Sequence, residues 1–486
     1  MWGASILPIT VLAALPCANA ITLHKHDHPA VLEFPISRSE WPQALQKRSS
    51  KVARTALYNL PNLYYMLNIT VGTPAQSLSL SVDTGSSDMW VNVPNSTYCA
   101  GDDDSCSSTG LFDIKDSSTF KLLDYDINST YLDTFLAAGP YATDTLVIGG
   151  ATIENMEFVV ADESINPNGI LGIGYAGATY AAVNLQKEYN NLPEALVKSG
   201  VIKSAAYSLW LNESDGHGKL LFGGVNKARY QGELQTVPVL QLDGRYLYMA
   251  IALTDISVKS SKGSKSYQTG LPLAVTLDNG SPLISLPKEL IDPIYKEVGG
   301  GYSSTDGYGY IPCSMAKADY NVTFNFSGAM VTIPISELVF EDYTEPDFAD
   351  GDCIFGLGYS ESGVNLMGEP FLRGAYVVYD LANNEISLAN VNNDGGEDNI
   401  HEIGTGTAAV PGATLMPSPV TSATGNGPNK TAGSVDTMAY VTATATGAAK
   451  SGGATSTSSK GLAASATGKS NHLLSGVLGA GLLLAL

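Results

Sequence analysis

Two stretches of the chain read alike. Residues 78–93, LSLSVDTGSSDMWVNV, and residues 274–287, AVTLDNGSPLISLP, each run from an apolar segment through Asp, one further residue, Gly and Ser into a second apolar segment. Asp83 leads the first turn and Asp278 the second. An Asp-x-Gly turn is by itself a common way to reverse a chain. The spacing says more. Ile170-Leu171-Gly172 begins 87 residues after Asp83, and Leu366-Met367-Gly368 begins 88 residues after Asp278. Unrelated turns do not keep step over such distances, so the chain is read as a duplicated body, each half presenting one aspartate on a tight turn.

A chain of 486 residues is long enough for two such lobes with a large core. Between about residues 55 and 396 it is punctuated for strands. SLSLSV (77–82) alternates with period two, and LVIGG, EFVV, YSLWL, TVPVL and YVVYD are short β-rich runs set apart by Gly, Asn and Asp. Helical signals are few: one helix opens at Leu192-Pro193 with Asn191 as its cap, another at Pro287-Lys288. The class predicted is all-β with small helices.

The ends of the chain read as addresses. Residues 1–20 fit a signal peptide, with an apolar stretch over 4–16 and Ala18-Asn19-Ala20 at the cut. Residues 21–48 end in Lys47-Arg48 and read as a propeptide; its His24, His26 and His28 either supply charge at low pH or bind a metal, and the first reading is preferred. The N-terminal lobe is drawn at 49–235 and the C-terminal lobe at 236–396. Residues 397–470 are rich in Ser, Thr, Gly and Ala and are expected to form no core. The apolar tail, 471–486, follows a polar spacer in the manner of a glycolipid (GPI) anchor signal, against the alternative of a merely frayed terminus. These segments place the protein at the cell surface, on plasma membrane or wall, or shed from it.

Cysteine and charge agree with export. Cys17 falls in the signal, leaving four cysteines; nearness in sequence pairs Cys99 with Cys106 and leaves Cys313 with Cys353. There is no CxxC pair and no metal site is expected. Asn68, Asn95, Asn128, Asn212, Asn321, Asn325 and Asn429 each open an N-x-S/T sequon and are expected at the surface; Asn279 fits formally but is expected to stay bare. A net charge of −21 argues against nucleic acid and suits work in acid, where carboxylates are partly neutralised.

The ordered set of motifs resembles the pepsin-type aspartic endopeptidases, in particular the fungal cell-surface branch of yapsins and candidapepsins. It comprises Tyr64-Tyr65 with ITVGTP (69–74), DTGSSDMW (83–90), YATDTLVIGG (141–150), GILGIG (169–174), LFGGVN (221–226) and GEPFLRGAYVVYDLANNEISLA (368–389), spread over residues 62–392. The resemblance implies a bilobal pepsin-like fold with the cleft between the lobes, protein or peptide substrates, no cofactor and a monomer. It makes Asp83 and Asp278 the catalytic pair, sharing one proton because two close carboxylates do not both ionise comfortably. Thr84, Gly85, Ser86, Asn279, Gly280 and Ser281 become their support, with the two serines bonded to the outer carboxylate oxygens. A flap tyrosine follows at Tyr131, with Tyr125 as runner-up, paired with Trp90.

Asn279 departs from the family's Ser or Thr. Thr84 and its counterpart normally form a reciprocal bracket between the two loops; asparagine can donate and accept, but its amide is longer. That substitution keeps a second reading open, a catalytically silent surface protein that binds peptides, and the glycans and tail allow a third, a structural wall mannoprotein. Asp102-Asp103-Asp104 is either a solvated acidic tip or a feature favouring Lys or Arg beside the cut.

Overall fold

The computed structural model describes residues 30–38, 64–100, 106–131, 134–164, 166–212, 217–304, 307–341, 349–360, 363–425 and 440–442. The signal peptide, the three histidines, Lys47-Arg48, Asp102–Asp104, Asn429 and the apolar tail lie outside these residues.

Strand β1 (Leu32–Arg38) is followed by β2 (Tyr65–Val71) and β3 (Gln76–Asp83), which pair antiparallel with Leu67 opposite Leu80 and Ile69 opposite Leu78. The period-two pattern does its work here: Leu78, Leu80 and Val82 face the core while Ser77 and Ser79 face outward. Toward its end β3 becomes buried on both faces, and it delivers Asp83 into the interior. After β4 (Met89–Asn92), two long strands, β5 (Lys121–Tyr131) and β6 (Thr134–Ile148), form a hairpin that packs on β7 (Ala151–Ala161). The second half repeats the device. The strand Leu273–Leu277 is buried throughout and ends one residue before Asp278.

In each half the apolar-apolar-Gly triplet runs parallel to the strand that carries the aspartate. Ser81, Val82 and Asp83 lie in register with Ile170, Leu171 and Gly172, and Thr276 and Leu277 with Leu366 and Met367. A Cβ on Gly172 or Gly368 would meet backbone atoms at 2.6 and 2.2 Å, so both crossings need glycine. Beneath the two halves runs one continuous sheet. Its strands Tyr230–Pro238, Glu385–Val391, Ala375–Asp380, Ala206–Leu211 and His217–Phe222 lead through β1 into β2 and β3, so both lobes share a floor.

The helices are short. Helix α1 (Tyr180–Asn184) precedes α2 (Leu192–Lys198), and α3 (Lys288–Val298) and α4 (Glu369–Gly374) belong to the second half. Asn191 sits at the N-cap of α2 but its side chain does not cap. It donates instead to Gly174 O (2.8 Å) and Ser87 O (3.3 Å), tying the helix to the first aspartate loop.

Two expectations about the ends need correction. Residues 397–425 do not begin a coreless linker. Ile403, Ala409, Val410, Met416 and Ala423 are buried, Ala413–Leu415 pairs parallel with Tyr230–Pro238, and Ile400–Glu402 pairs with Gly224–Asn226. These residues build no core of their own; they cover a surface the lobes already provide. At the other end, β1 lies within the segment read as a propeptide, yet it is an interior strand between β2 and the strand His217–Phe222. Phe34 and Ile36 are buried in the main core. Arg38 closes the strand by donating from Nε (3.0 Å) to Glu369 Oε1, with Nη2 at 2.9 Å, and Glu369 is fully buried.

Candidate active site

The two aspartate loops meet at the junction of the halves, and both carboxylates are buried. A Cβ placed on Gly280 would lie 2.6 Å from Asp83 Oδ1 and 3.1 Å from Asp278 Oδ1. The inner oxygens therefore flank a single point, one from each half. Each carboxylate is held by the glycine two residues on: Gly85 N donates to Asp83 Oδ1 and Gly280 N to Asp278 Oδ1, both at 2.8 Å. Asp83 and Gly280 border a small cavity that Tyr64, Asn168 and Ile170 also line.

Thr84 and Asn279 lock the loops together. Thr84 N donates to Asn279 Oδ1 (2.8 Å), and Asn279 N donates to Thr84 Oγ1 (3.0 Å). Each side chain then reaches the carbonyl that precedes the opposite aspartate: Thr84 Oγ1 donates to Leu277 O (3.1 Å) and Asn279 Nδ2 to Val82 O (2.9 Å). All four bonds are buried and cross between halves. The longer amide fits because its oxygen and nitrogen divide the two tasks that the single threonine hydroxyl performs alone. Asn279 is fully buried and its amide engaged, which leaves no room for a glycan.

The outer oxygens are not equivalent. Ser86 Oγ donates to Asp83 Oδ2 at 2.5 Å. Ser281 does not repeat this. Its hydroxyl donates to Leu283 O (3.3 Å), and Asp278 Oδ2 is buried with no hydrogen-bond partner among the described residues. The electrostatics follow. Burial pushes Asp83 up to about 6, held there against the hydrogen bonds from Ser86 and Gly85 that favour its charged form. Asp278 is pushed well above the ordinary carboxylate range, first by burial and then by the charge of Asp83. Two carboxylates so placed titrate as a pair, with the proton held more firmly on the Asp278 side.

Trp90 is buried beneath the β5–β6 hairpin, packed with Ile127, Ala137 and Tyr141. Its indole nitrogen has no acceptor among the described residues. Tyr131 lies opposite Thr134 at the hairpin tip, and its side chain falls outside the described residues. Tyr125, the runner-up, is committed elsewhere: its hydroxyl donates to Glu157, its ring lies 4.8 Å from that of Tyr141, and Lys187 sits over it. Sequence reasoning passed over Asp88. This buried carboxylate accepts from Tyr141 OH (2.8 Å), Tyr189 OH (2.7 Å) and Tyr180 N (2.7 Å), and so anchors the far end of the first loop to α1. Only its place in DTGSSDMW could have hinted at it.

Cys99–Cys106 and Cys313–Cys353 are disulfide-bonded, with Cα separations of 5.5 and 5.0 Å. Among the sequons, Asn68, Asn95 and Asn128 are exposed and Asn321 and Asn325 half-buried. Asn212 is buried, contrary to the surface position expected of it; it directly follows the strand Ala206–Leu211, and its backbone N donates to His217 O (2.8 Å) on the neighbouring strand. Among the described residues no cluster of His, Cys, Asp and Glu could hold a metal ion, and no helix is long and apolar enough to cross a membrane.

A family model described as eukaryotic aspartyl protease matches residues 64–391. The probable aspartic-type endopeptidase opsB of Aspergillus oryzae is 45% identical over 419 residues, covering 84% of this chain and 86% of that protein. Aspartic proteinase yapsin-3 of Saccharomyces cerevisiae is 33% identical over 389 residues, covering 77% and 74%. Aspartic proteinase MKC7 of the same yeast is 31% identical over 479 residues, covering 81% and 80%.

Proposed function

The chain belongs to the eukaryotic aspartyl protease family, and from that premise we propose a secreted, GPI-anchored aspartic endopeptidase that works in acid through Asp83 and Asp278. The observation that carries this reading is the single point flanked by both inner carboxylate oxygens, held in register by four buried bonds between the halves. A water at that point loses a proton to the ionised member and attacks the scissile carbonyl carbon, while the protonated member donates to the carbonyl oxygen. Collapse of the tetrahedral species passes a proton to the departing nitrogen and returns the pair to one shared proton. The hydrogen bonds from Ser86 and Gly85 support Asp83 as the ionised member and Asp278 as the carrier of the proton. Tyr131, at the tip of the hairpin over Trp90, is the group we assign to close the cleft.

Export and anchoring rest on the terminal segments and the disulfides. Removal of residues 21–48 belongs to the same reading. Strand β1 is hydrogen-bonded on both edges and ion-paired through Arg38, so a cut after Arg48 would not by itself free it. No feature of the site favours the silent alternative. The test is cleavage of denatured globin followed from about pH 3 to pH 7, across the titration of the pair, by the processed chain with and without pepstatin. Pepstatin-sensitive cleavage abolished by Asp83→Asn or Asp278→Asn is the expected result; equal cleavage by these variants would overturn the assignment. Release from intact cells by a phosphatidylinositol-specific phospholipase tests the anchor separately.

A further inference from the structure

On the outer face of β2 and β3, away from the aspartates, four polar side chains form a square. Asn68 lies opposite Ser79 and Thr70 opposite Ser77. They border a cavity of about 610 Å³ that is closed on another side by the segment following the Cys99–Cys106 disulfide, where Ser79 N donates to Thr109 O (2.7 Å) and Ser108 is exposed. Gly149 also lines it, with a positive φ of 56°. Ser77, Ser79, Ser108 and Thr70 offer hydroxyls, each a donor and acceptor, to this space. It is the size of a small-molecule pocket, and six of its twelve lining residues are Ser or Thr, so it suits a ligand rich in hydroxyl and amide groups.

Such a ligand is brought by the chain itself. Asn68 opens the sequon Asn68-Ile69-Thr70, is exposed, and projects at the edge of the cavity. We infer that Asn68 is a glycosylation site whose first N-acetylglucosamine residues are seated in this hydroxyl-lined groove, so that the glycan is part of the folded surface rather than a free appendage. In the transfer, Asn68 Nδ2 loses a proton and forms the bond to C1 of the sugar, while the C1–O bond to a polyprenyl pyrophosphate carrier breaks and the pyrophosphate departs with the electron pair. Asn95 is exposed too and serves as an internal control. The inference rests on the secretory part of the proposed function, and the experiment separates the two.

The full chain is produced in a secreting fungal host. Glycopeptide mass spectrometry scores each sequon, and endoglycosidase H is applied to the native protein over time. Asn68 is expected to be occupied and to release its glycan at least about tenfold more slowly than Asn95, the ratio that a few retained hydrogen bonds sustain. Combined Ser77→Ala, Ser79→Ala and Ser108→Ala substitutions are expected to erase that difference while leaving occupancy unchanged. An unmodified Asn68 beside other occupied sequons, or equal release from Asn68 and Asn95, overturns the inference alone. If no sequon is occupied, the secretory reading fails and takes this one with it.

Discussion

Replacing Asn279 with alanine removes one arm of the bracket. Thr84 N loses its acceptor at 2.8 Å and Val82 O loses its donor at 2.9 Å, and both stay buried where water does not replace them. An orphaned buried polar group costs about 1–3 kcal/mol, so Asn279→Ala is expected to destabilise by roughly 2–5 kcal/mol. Asn279→Thr should behave differently. Thr84 already shows that one hydroxyl can accept the opposite amide and donate to the opposite carbonyl, at 3.0 and 3.1 Å. A threonine at 279 can mirror it, and its cost is expected within about 1 kcal/mol. Urea unfolding monitored by tryptophan fluorescence reads both, and a double-mutant cycle with Thr84→Val should return a coupling of about 1–3 kcal/mol. Activity should follow stability in rank, with kcat/KM falling about a hundredfold in the alanine variant as the carboxylates lose register. An alanine variant as stable as the parent, or a threonine variant as damaged as the alanine one, would show that the bracket does not hold the loops.

Two further outcomes follow from the same site. Gly280→Ala puts a methyl 2.6 Å from Asp83 Oδ1, so it should depress kcat by about a hundredfold or more while costing no more than about 3 kcal/mol of stability; unchanged peptidase activity would mean that the carboxylates are free to separate. The pH dependence of folding should also carry the signature of the pair. Because the native pKa of Asp83 is raised from 3.8 to about 6, and burial beside Asp83 also pushes Asp278 well above the ordinary carboxylate range, the folded chain holds protons that the unfolded chain gives up. This contribution is complete below about pH 4 and is lost as pH rises through 6. Asp278→Asn should flatten the decline between pH 4 and 7, and parallel profiles for parent and variant would contradict the assigned shifts.

The aspartate loops were legible because a turn that ends a buried strand has few ways to be written, and here it is written twice at matched intervals. The parallel crossing of the Ile170 and Leu366 triplets follows from that repeat. Ser281 was misread for a local reason: Pro282 follows it, and its hydroxyl meets Leu283 O before it can reach Asp278. Residues 397–425 were misread for a compositional one. A segment that lines an existing surface needs only scattered small apolar residues, such as Ala409, Val410 and Ala423, and these do not announce themselves among Ser, Thr and Gly. Asn279 was recognised as unusual, but whether its amide fits depends on ångström-scale spacing across two loops 195 residues apart in sequence. Asp88 went unseen because its partners, Tyr141, Tyr180 and Tyr189, are gathered only by folding.

The four bonds of the bracket lie beside the carboxylates and cross from one half to the other. Any rocking of one half against the other therefore has its fulcrum there. The outer walls of the groove travel furthest and the two aspartates least. In a molecule built this way the outer walls can part while the spacing of the two carboxylates is kept.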